Sequence, residues 1–289
     1  MKVLITGHAG FIGSHMWDLC VKDGHDVYGL DDLSRSTSKP RHDPQSIVGD
    51  VVGIRAIEQL DQDFDWVIHL AGQVSVVSGE KYPDRDFHSN SLGTFAVVQW
   101  AKERNAGVIF SSSNKVFGEL RGVSTPIADT QPLNPQTNYG VSKAAASHYV
   151  ADYSKGWVFH QSCVYGSTQQ GEVDQGWIGW LNQSIRGSRS ITCFGDGSQV
   201  RDLLHVDDLV RLYRSVLNGD VPRGSYVLGG GVENAVTFSE AVSNLGGEIT
   251  EFAAWRPHDQ RYFVSANSGL AALGWRPSIG REQGLEQMT

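Results

Sequence analysis

The sequence predicts an α/β protein, a doubly wound parallel Rossmann sheet with a smaller C-terminal α/β substrate lobe, and three observations carry that expectation. Short apolar runs alternate with stretches of helical length from Lys2 to Tyr165. The first run leads directly into three evenly spaced glycines, Gly7, Gly10 and Gly13. After Tyr165 the alternation gives way to Gln- and Gly-rich sequence.

Taken in order, strand-like runs fall at Lys2 to Thr6, Val27 to Leu30, Ser46 to Val48, Trp66 to Leu70, Val108 to Ser111 and Trp157 to Ser162. Helix stop signals separate them. Lys22-Asp23-Gly24 closes the first helix, and Asn105-Ala106-Gly107 closes a long one that begins near Asn90. A further helix is expected from Asn138 to Ser154. Beyond Tyr165, Asp207 to Asn218 followed by Tyr226 to Leu228 again has the pattern of a helix returning to a strand. The sheet unit is therefore expected to comprise residues 1–164 and 203–230, and the substrate lobe residues 165–202 and 231–289.

A chain of 289 residues with 40% apolar content can bury cores of this kind. Its formal charge of -8 argues against a broad nucleic-acid or anionic-membrane surface, so any phosphate must be met by a few local donors. Neither a signal-peptide pattern nor a membrane-length apolar run is present in the sequence, which makes the cytoplasm the expected location. Cys20, Cys163 and Cys193 are odd in number and far apart, and the histidines show no ligand spacing, so no metal site is expected.

Gly7-x-x-Gly10-x-x-Gly13 follows a strand and opens a helix through Phe11 and Ile12, which suits close approach of a pyrophosphate to a helix N-terminus. Glycine triplets also mark simple tight turns, and context decides between the two. Asp31 ends the second strand, where a carboxylate accepts hydrogen bonds from the adenosine ribose hydroxyls and repels a 2′-phosphate. NAD is expected over NADP. Asp32, Ser34 and Arg35 follow in the same loop, and Arg35 either softens that preference or is a solvated surface residue. Asp50-Val51 and Leu70-Ala71-Gly72-Gln73 stand at the carboxyl ends of the third and fourth strands, where such sheets bind ligands.

Tyr139-x-x-x-Lys143 places a phenol and an ammonium one helical turn apart, so the pair is either an ordinary surface pair or a general base with a cation beside it. Ser113, just beyond the strand that ends at Ser111, supplies a hydroxyl for a Ser/Tyr/Lys relay or else caps a turn. Trp177 and Trp180 equally suit a ligand pocket and a buried helix face, and His205 suits a capping role.

With these motifs in place, the chain resembles the extended short-chain dehydrogenases/reductases of the nucleotide-sugar epimerase and dehydratase group across nearly its whole length. Within the group it is most similar to the enzymes that invert C2 of CDP-linked 3,6-dideoxyhexoses. The similarity rests on His69 to Val74, Ser112 to Gly118, Asp174 to Trp180, Gln199 to Asp202 and Asp259 to Arg261.

The resemblance implies NAD as cofactor, Ser113, Tyr139 and Lys143 as the catalytic residues, and Asn90 as a support beneath the site. It places Ser111, Gln161 and Ser162 in the cofactor set. It assigns Gln73, Ser113, Asn114, Cys163, Gln175, Arg201, Arg256 and Asp259 to the nucleotide sugar, the two arginines at its diphosphate; guanidinium forks suit that role physically, although either could instead pair with Asp202 or Asp259. The implied reaction is epimerisation at C2 through a transient keto sugar, with a hexose 4-epimerase as alternative and a 4,6-dehydratase or a non-catalytic NAD-binding protein behind it. Asn114-Lys115 stand where dehydratases carry Asp-Glu, and an amide cannot protonate a leaving hydroxyl. His160 replaces the family's arginine before the nicotinamide loop, affecting cofactor retention or only packing. A homodimer, through the helices at Asn90 to Arg104 and Asn138 to Ser154, is implied as well.

Overall fold

The computed structural model describes residues 1–35, 45–60, 63–171 and 175–288. Its centre is a seven-stranded, wholly parallel sheet built from β1 (Lys2–Thr6), β2 (Asp26–Asp31), β3 (Ser46–Val48), β4 (Trp66–His69), β5 (Gly107–Ser111), β6 (Gly156–Gln161) and a late-joining strand, Ser225–Leu228. From one edge the order is Ser225–Leu228, β6, β5, β4, β1, β2, β3. The chain thus builds outward from β1 in one direction and then crosses back to place β4 on its other side. Ligands of such sheets sit in the crevice at the carboxyl ends of the strands that flank this switch.

Both faces of the sheet are covered, which is why its strands read as nearly continuous apolar runs. Alternate side chains divide cleanly. Val3, Ile5, Ile68 and Ile109 pack with Met16 and Trp17 of helix α1 (Phe11–Lys22). Leu4, Val67, Val108 and Phe110 pack on the other side with Val97 and Trp100. Those two belong to a helical stretch made of α2 (Val76–Lys81), α3 (Pro83–Asp86), a π-turn (Phe87–Leu92) and α4 (Gly93–Glu103). Past α2, whose C-cap is Tyr82, the run that continues unbroken into α4 therefore begins at Pro83 rather than near Asn90. Proline is suited to the first turn of a helix, where its missing N–H leaves no bond unmade, and the π-turn carries the helix on into α4.

Helix α5 (Asn138–Asp152) carries Tyr139 and Lys143. Thr137 caps it by accepting the Gly140 amide at 3.0 Å, and Glu80 of α2 accepts the Asn138 amide at 2.8 Å. Past β6 the chain forms β7 (Cys163–Tyr165), α6 (Trp177–Arg186), β8 (Thr192–Phe194), β9 (Val200–His205) and α7 (Val206–Leu217), and then β10 (Ser225–Leu228), the late-joining strand. His205 caps α7 by accepting the Asp207 amide at 3.2 Å, the capping role expected of it. Strand β9 pairs with β7, with β11 (Ala235–Thr237) and with β13 (Tyr262–Phe263), while β8 pairs in parallel with β12 (Glu251–Ala253). These short strands cover one side of the crevice. Among the described residues, no helix is long and apolar enough to cross a membrane.

Candidate active site

One cleft of about 1620 Å³ runs along the carboxyl ends of the central strands and under the smaller sheets. Apart from Asn90, every residue assigned above to catalysis, cofactor or substrate lines it. Asn90 lies beneath, donating to Ser142 of α5 at 3.0 Å. Its Oδ1 would stand 2.5 Å from a side chain added at Gly72. It braces the floor of the cleft and the helix carrying the tyrosine.

At one end, Gly7 has φ +73°, and an added Cβ would stand 2.7 Å from the Ala71 amide nitrogen. A Cβ at Gly13 would stand 2.0 Å from the Gly7 carbonyl oxygen, so both positions need glycine for the turn and helix to pack at all. Gly10 caps α1 with no side-chain cap, and the first turn holds no acidic residue, leaving the helix N-terminus open to an anion. Asp31 accepts the Ala9 amide at 2.9 Å through Oδ2 and the Leu33 amide at 2.8 Å through Oδ1. Those bonds fix the carboxylate, and each oxygen keeps a lone pair for a ribose hydroxyl. Asp32 meanwhile binds the Ser34 amide at 2.9 Å and shapes the loop beside it. Arg35, Asp50 and Val51 complete this end, and the whole of it fits an adenine dinucleotide.

The middle of the cleft holds Ser113, Tyr139 and Lys143. Burial pushes the Tyr139 phenol up to about 12, a hydrogen bond with Ser113 pulls it partly back, and the charge of Asp86 raises it further. Lys143 donates to the Ser111 carbonyl at 2.6 Å and lies 4.2 Å from the centre of the Phe110 ring. Burial brings its ammonium down to about 7, with Asp86 opposing. Gln161 reaches the Ser111 hydroxyl and Ser162 donates to the Asp202 carbonyl at 3.0 Å, which anchors this stretch to β9.

Asp86 has no distinctive local sequence signal. Its Oδ1 accepts from Gln73 at 2.5 Å, and its Oδ2 is buried without a hydrogen-bond partner among the described residues. Burial lifts its pKa to about 6, with the Gln73 bond opposing. Gln73 also donates to the Ser75 carbonyl at 2.7 Å and accepts the Ser75 amide, so its amide group is a fixed strut of the wall.

At the far end, Arg201 and Lys115 converge on one oxygen of Asp259, at 3.0 and 3.1 Å. The alternative ion pair considered for Arg201 therefore exists, and it exists inside the cleft. The guanidinium of Arg256 stacks 3.9 Å from the centre of the Phe194 ring. Asn114 donates to Gln260 at 2.9 Å, and Gln260 returns a bond to the Asn114 carbonyl at 3.0 Å. Asn114-Lys115 and Asp259-Gln260 are thus clasped pairwise across 144 to 146 positions of sequence. Lys115 had signalled itself only as part of a distinguishing motif. Cys163 accepts from Trp177 at 3.1 Å; Trp177 and Trp180 pack on the lobe core and also line the cleft, so both readings of that pair hold. Gln175 lines the cleft beside them, whereas Asp174 lies outside the described residues. His160 does not line it: the ring packs edge-on against Phe117 and bonds Ser112 at 3.1 Å, an internal packing role.

Residues 3–229 match the model of the NAD dependent epimerase/dehydratase family, and the chain belongs to that family. It is 30% identical to CDP-paratose 2-epimerase of Salmonella typhi, over 100% of this chain and 98% of that one. It is 29% identical to UDP-glucose 4-epimerase of Mycolicibacterium smegmatis, over 99% and 96%. The UDP-glucose 4-epimerase of Thermus thermophilus, solved in complex with NAD, superposes with a TM-score of 0.89 at 27% identity, covering 100% of this chain and 97% of its own.

Proposed function

We propose that this member of the NAD dependent epimerase/dehydratase family inverts C2 of a CDP-linked deoxyhexose through a transient keto sugar. NAD is the cofactor, held by the glycine turn, the N-terminus of α1 and Asp31, and it supplies a reversible acceptor for the hydrogen on the reacting carbon. Tyr139 takes the proton of the sugar hydroxyl, Ser113 hydrogen-bonds the same oxygen, and Lys143 provides positive charge beside the pair. The sugar, now a ketone, turns over, and Tyr139 returns the proton when the opposite face is reduced.

The observation that carries epimerisation over dehydration is the pair following Ser113. Asn114 is an amide held by Gln260, and the Lys115 ammonium is engaged by Asp259, so neither serves as the acid that expels water. The C2 assignment draws on the full-length likeness to CDP-paratose 2-epimerase, and the equally long likeness to UDP-glucose 4-epimerase supports the alternative. NMR of the product after incubation with CDP-paratose, CDP-tyvelose, UDP-glucose and GDP-mannose separates them. A C2 epimer of a CDP-sugar is expected; turnover of a UDP-hexose alone moves the reaction to C4, and loss of water moves the chain to the dehydratases.

In this reading residues 1–164 and 203–230 hold NAD, residues 165–202 and 231–289 hold the nucleotide sugar, and the enzyme works in the cytoplasm. We also infer a homodimer through α4 and α5, whose outer surface exposes Phe95, Val141 and Tyr149, with the first and last rings 5.2 Å apart. Sedimentation at the mass of a single chain would exclude it.

A further inference from the structure

We propose that Lys115 is a substrate-binding residue that holds the sugar-side phosphate of the nucleoside diphosphate, between the reacting hydroxyl and the arginines. The inference rests on the nucleotide-sugar reading above and adds to it. Lys115 lies largely buried in the cleft wall, and Asp259 is the one hydrogen-bond partner of its ammonium among the described residues. An ammonium has three donors, so two remain. Lys115 and Arg201 share the Asp259 carboxylate, two cations on one anion, and all three groups line the cleft. The positive charge left over within that trio suits a phosphate. Burial and the nearby Arg201 charge hold the Lys115 pKa below its usual value even with Asp259 beside it, as expected of a cation awaiting an anion.

Position adds a second argument. The Lys115 amide lies 3.2 Å from the Ser113 hydroxyl, while its side chain ends beside the partner of Arg201. One lysine side chain therefore spans from the reactive end of the site to the diphosphate end. Such a short span suits oxidation at C2, the carbon next to the phosphate-bearing C1, whereas C4 lies across the ring from it.

The test is calorimetric titration of CDP, CMP, UDP and UMP into the NAD-loaded wild type and Lys115→Met. The expected result is a loss of about 10- to 100-fold in diphosphate affinity, as for a charge-assisted hydrogen bond, with monophosphate affinity changed by less than about threefold. Lys115→Met/Asp259→Asn should not recover diphosphate binding; recovery would show that Lys115 only neutralises Asp259 and would overturn the proposal. Equal losses for mono- and diphosphates, or no loss, would overturn it too. Should Lys115→Met fail to fold, Lys115→Gln carries the same expectations. If the wild type binds UDP rather than CDP and the same differential appears, the role of Lys115 stands and only the base assignment falls. Failure to bind either diphosphate would sink both.

Discussion

Tyr139→Phe is expected to lower kcat by about 10²- to 10⁴-fold while leaving NAD affinity and the folded state essentially unchanged. The substitution removes one oxygen from a ring that is otherwise packed in place: Tyr139 is 7% exposed, in the first turn of a helix capped from both Thr137 and Glu80. Nothing in the geometry makes that oxygen structural. The nearby Ser113 hydroxyl, which lowers the pKa of the phenol, accepts the Lys115 amide at 3.2 Å and donates to Asn114 at 3.3 Å, and so keeps its place without the phenol. A structural role would instead appear as a lower unfolding midpoint and a weaker NAD complex. The checks are product NMR for turnover, NAD titration and thermal unfolding of the same preparation. Activity within tenfold of wild type would remove Tyr139 from the position of base.

The parts of this site legible in the sequence are those whose chemistry is local. Gly7, Gly10 and Gly13 lie within one turn and helix start, Asp31 ends the adjacent strand, and Tyr139 and Lys143 share a helix face, so spacing marks them as candidates and the family resemblance supplies their roles. The same holds for the sheet, where β1 and β3 begin and end at the residues expected because each is a short apolar run bounded by turn residues. The helix before Asn90 was hidden by a proline that begins helical backbone instead of ending it. Among the described residues the three-residue strands β8 and β12 pair only with each other, and they are too short for periodicity to register. Asp86 shows nothing until folding buries it beside Gln73, and the clasp of Lys115 on Asp259 joins segments whose proximity no local pattern encodes.

Mild acid should destabilise this fold through two histidines buried without charge. His69 is wholly buried at the end of β4, bonded to Thr6 at 2.7 Å and to Thr94 at 2.9 Å. It thereby ties β1 and β4 to α4 directly beneath the dinucleotide turn, where Thr6 also accepts the Ala71 amide at 3.3 Å. Burial brings His69 down to about 3 and His160 down to about 4, from an ordinary 6.5. Between 6.5 and those values the unfolded chain binds two protons that the folded chain refuses, so the stability they contribute is complete above 6.5 and falls as pH falls. Each loses about 1.4 kcal/mol per pH unit, or about 2 kcal/mol by pH 5. Asp86 works in the opposite direction: with its folded pKa raised to about 6, it takes up a proton more readily when folded and returns about 1 kcal/mol over the same range. A net loss of about 2 to 3 kcal/mol between pH 7 and pH 5 is therefore expected from these three groups, a large share of the roughly 5 to 15 kcal/mol that holds a typical domain together. Urea unfolding at the two pH values measures it. His160→Gln should flatten the pH dependence by about 2 kcal/mol whatever it does to stability at pH 7, because the change in slope reports proton binding alone. An unaltered slope in that variant would mean that His160 accepts its proton in the folded state, and that burial at this position does not exclude charge.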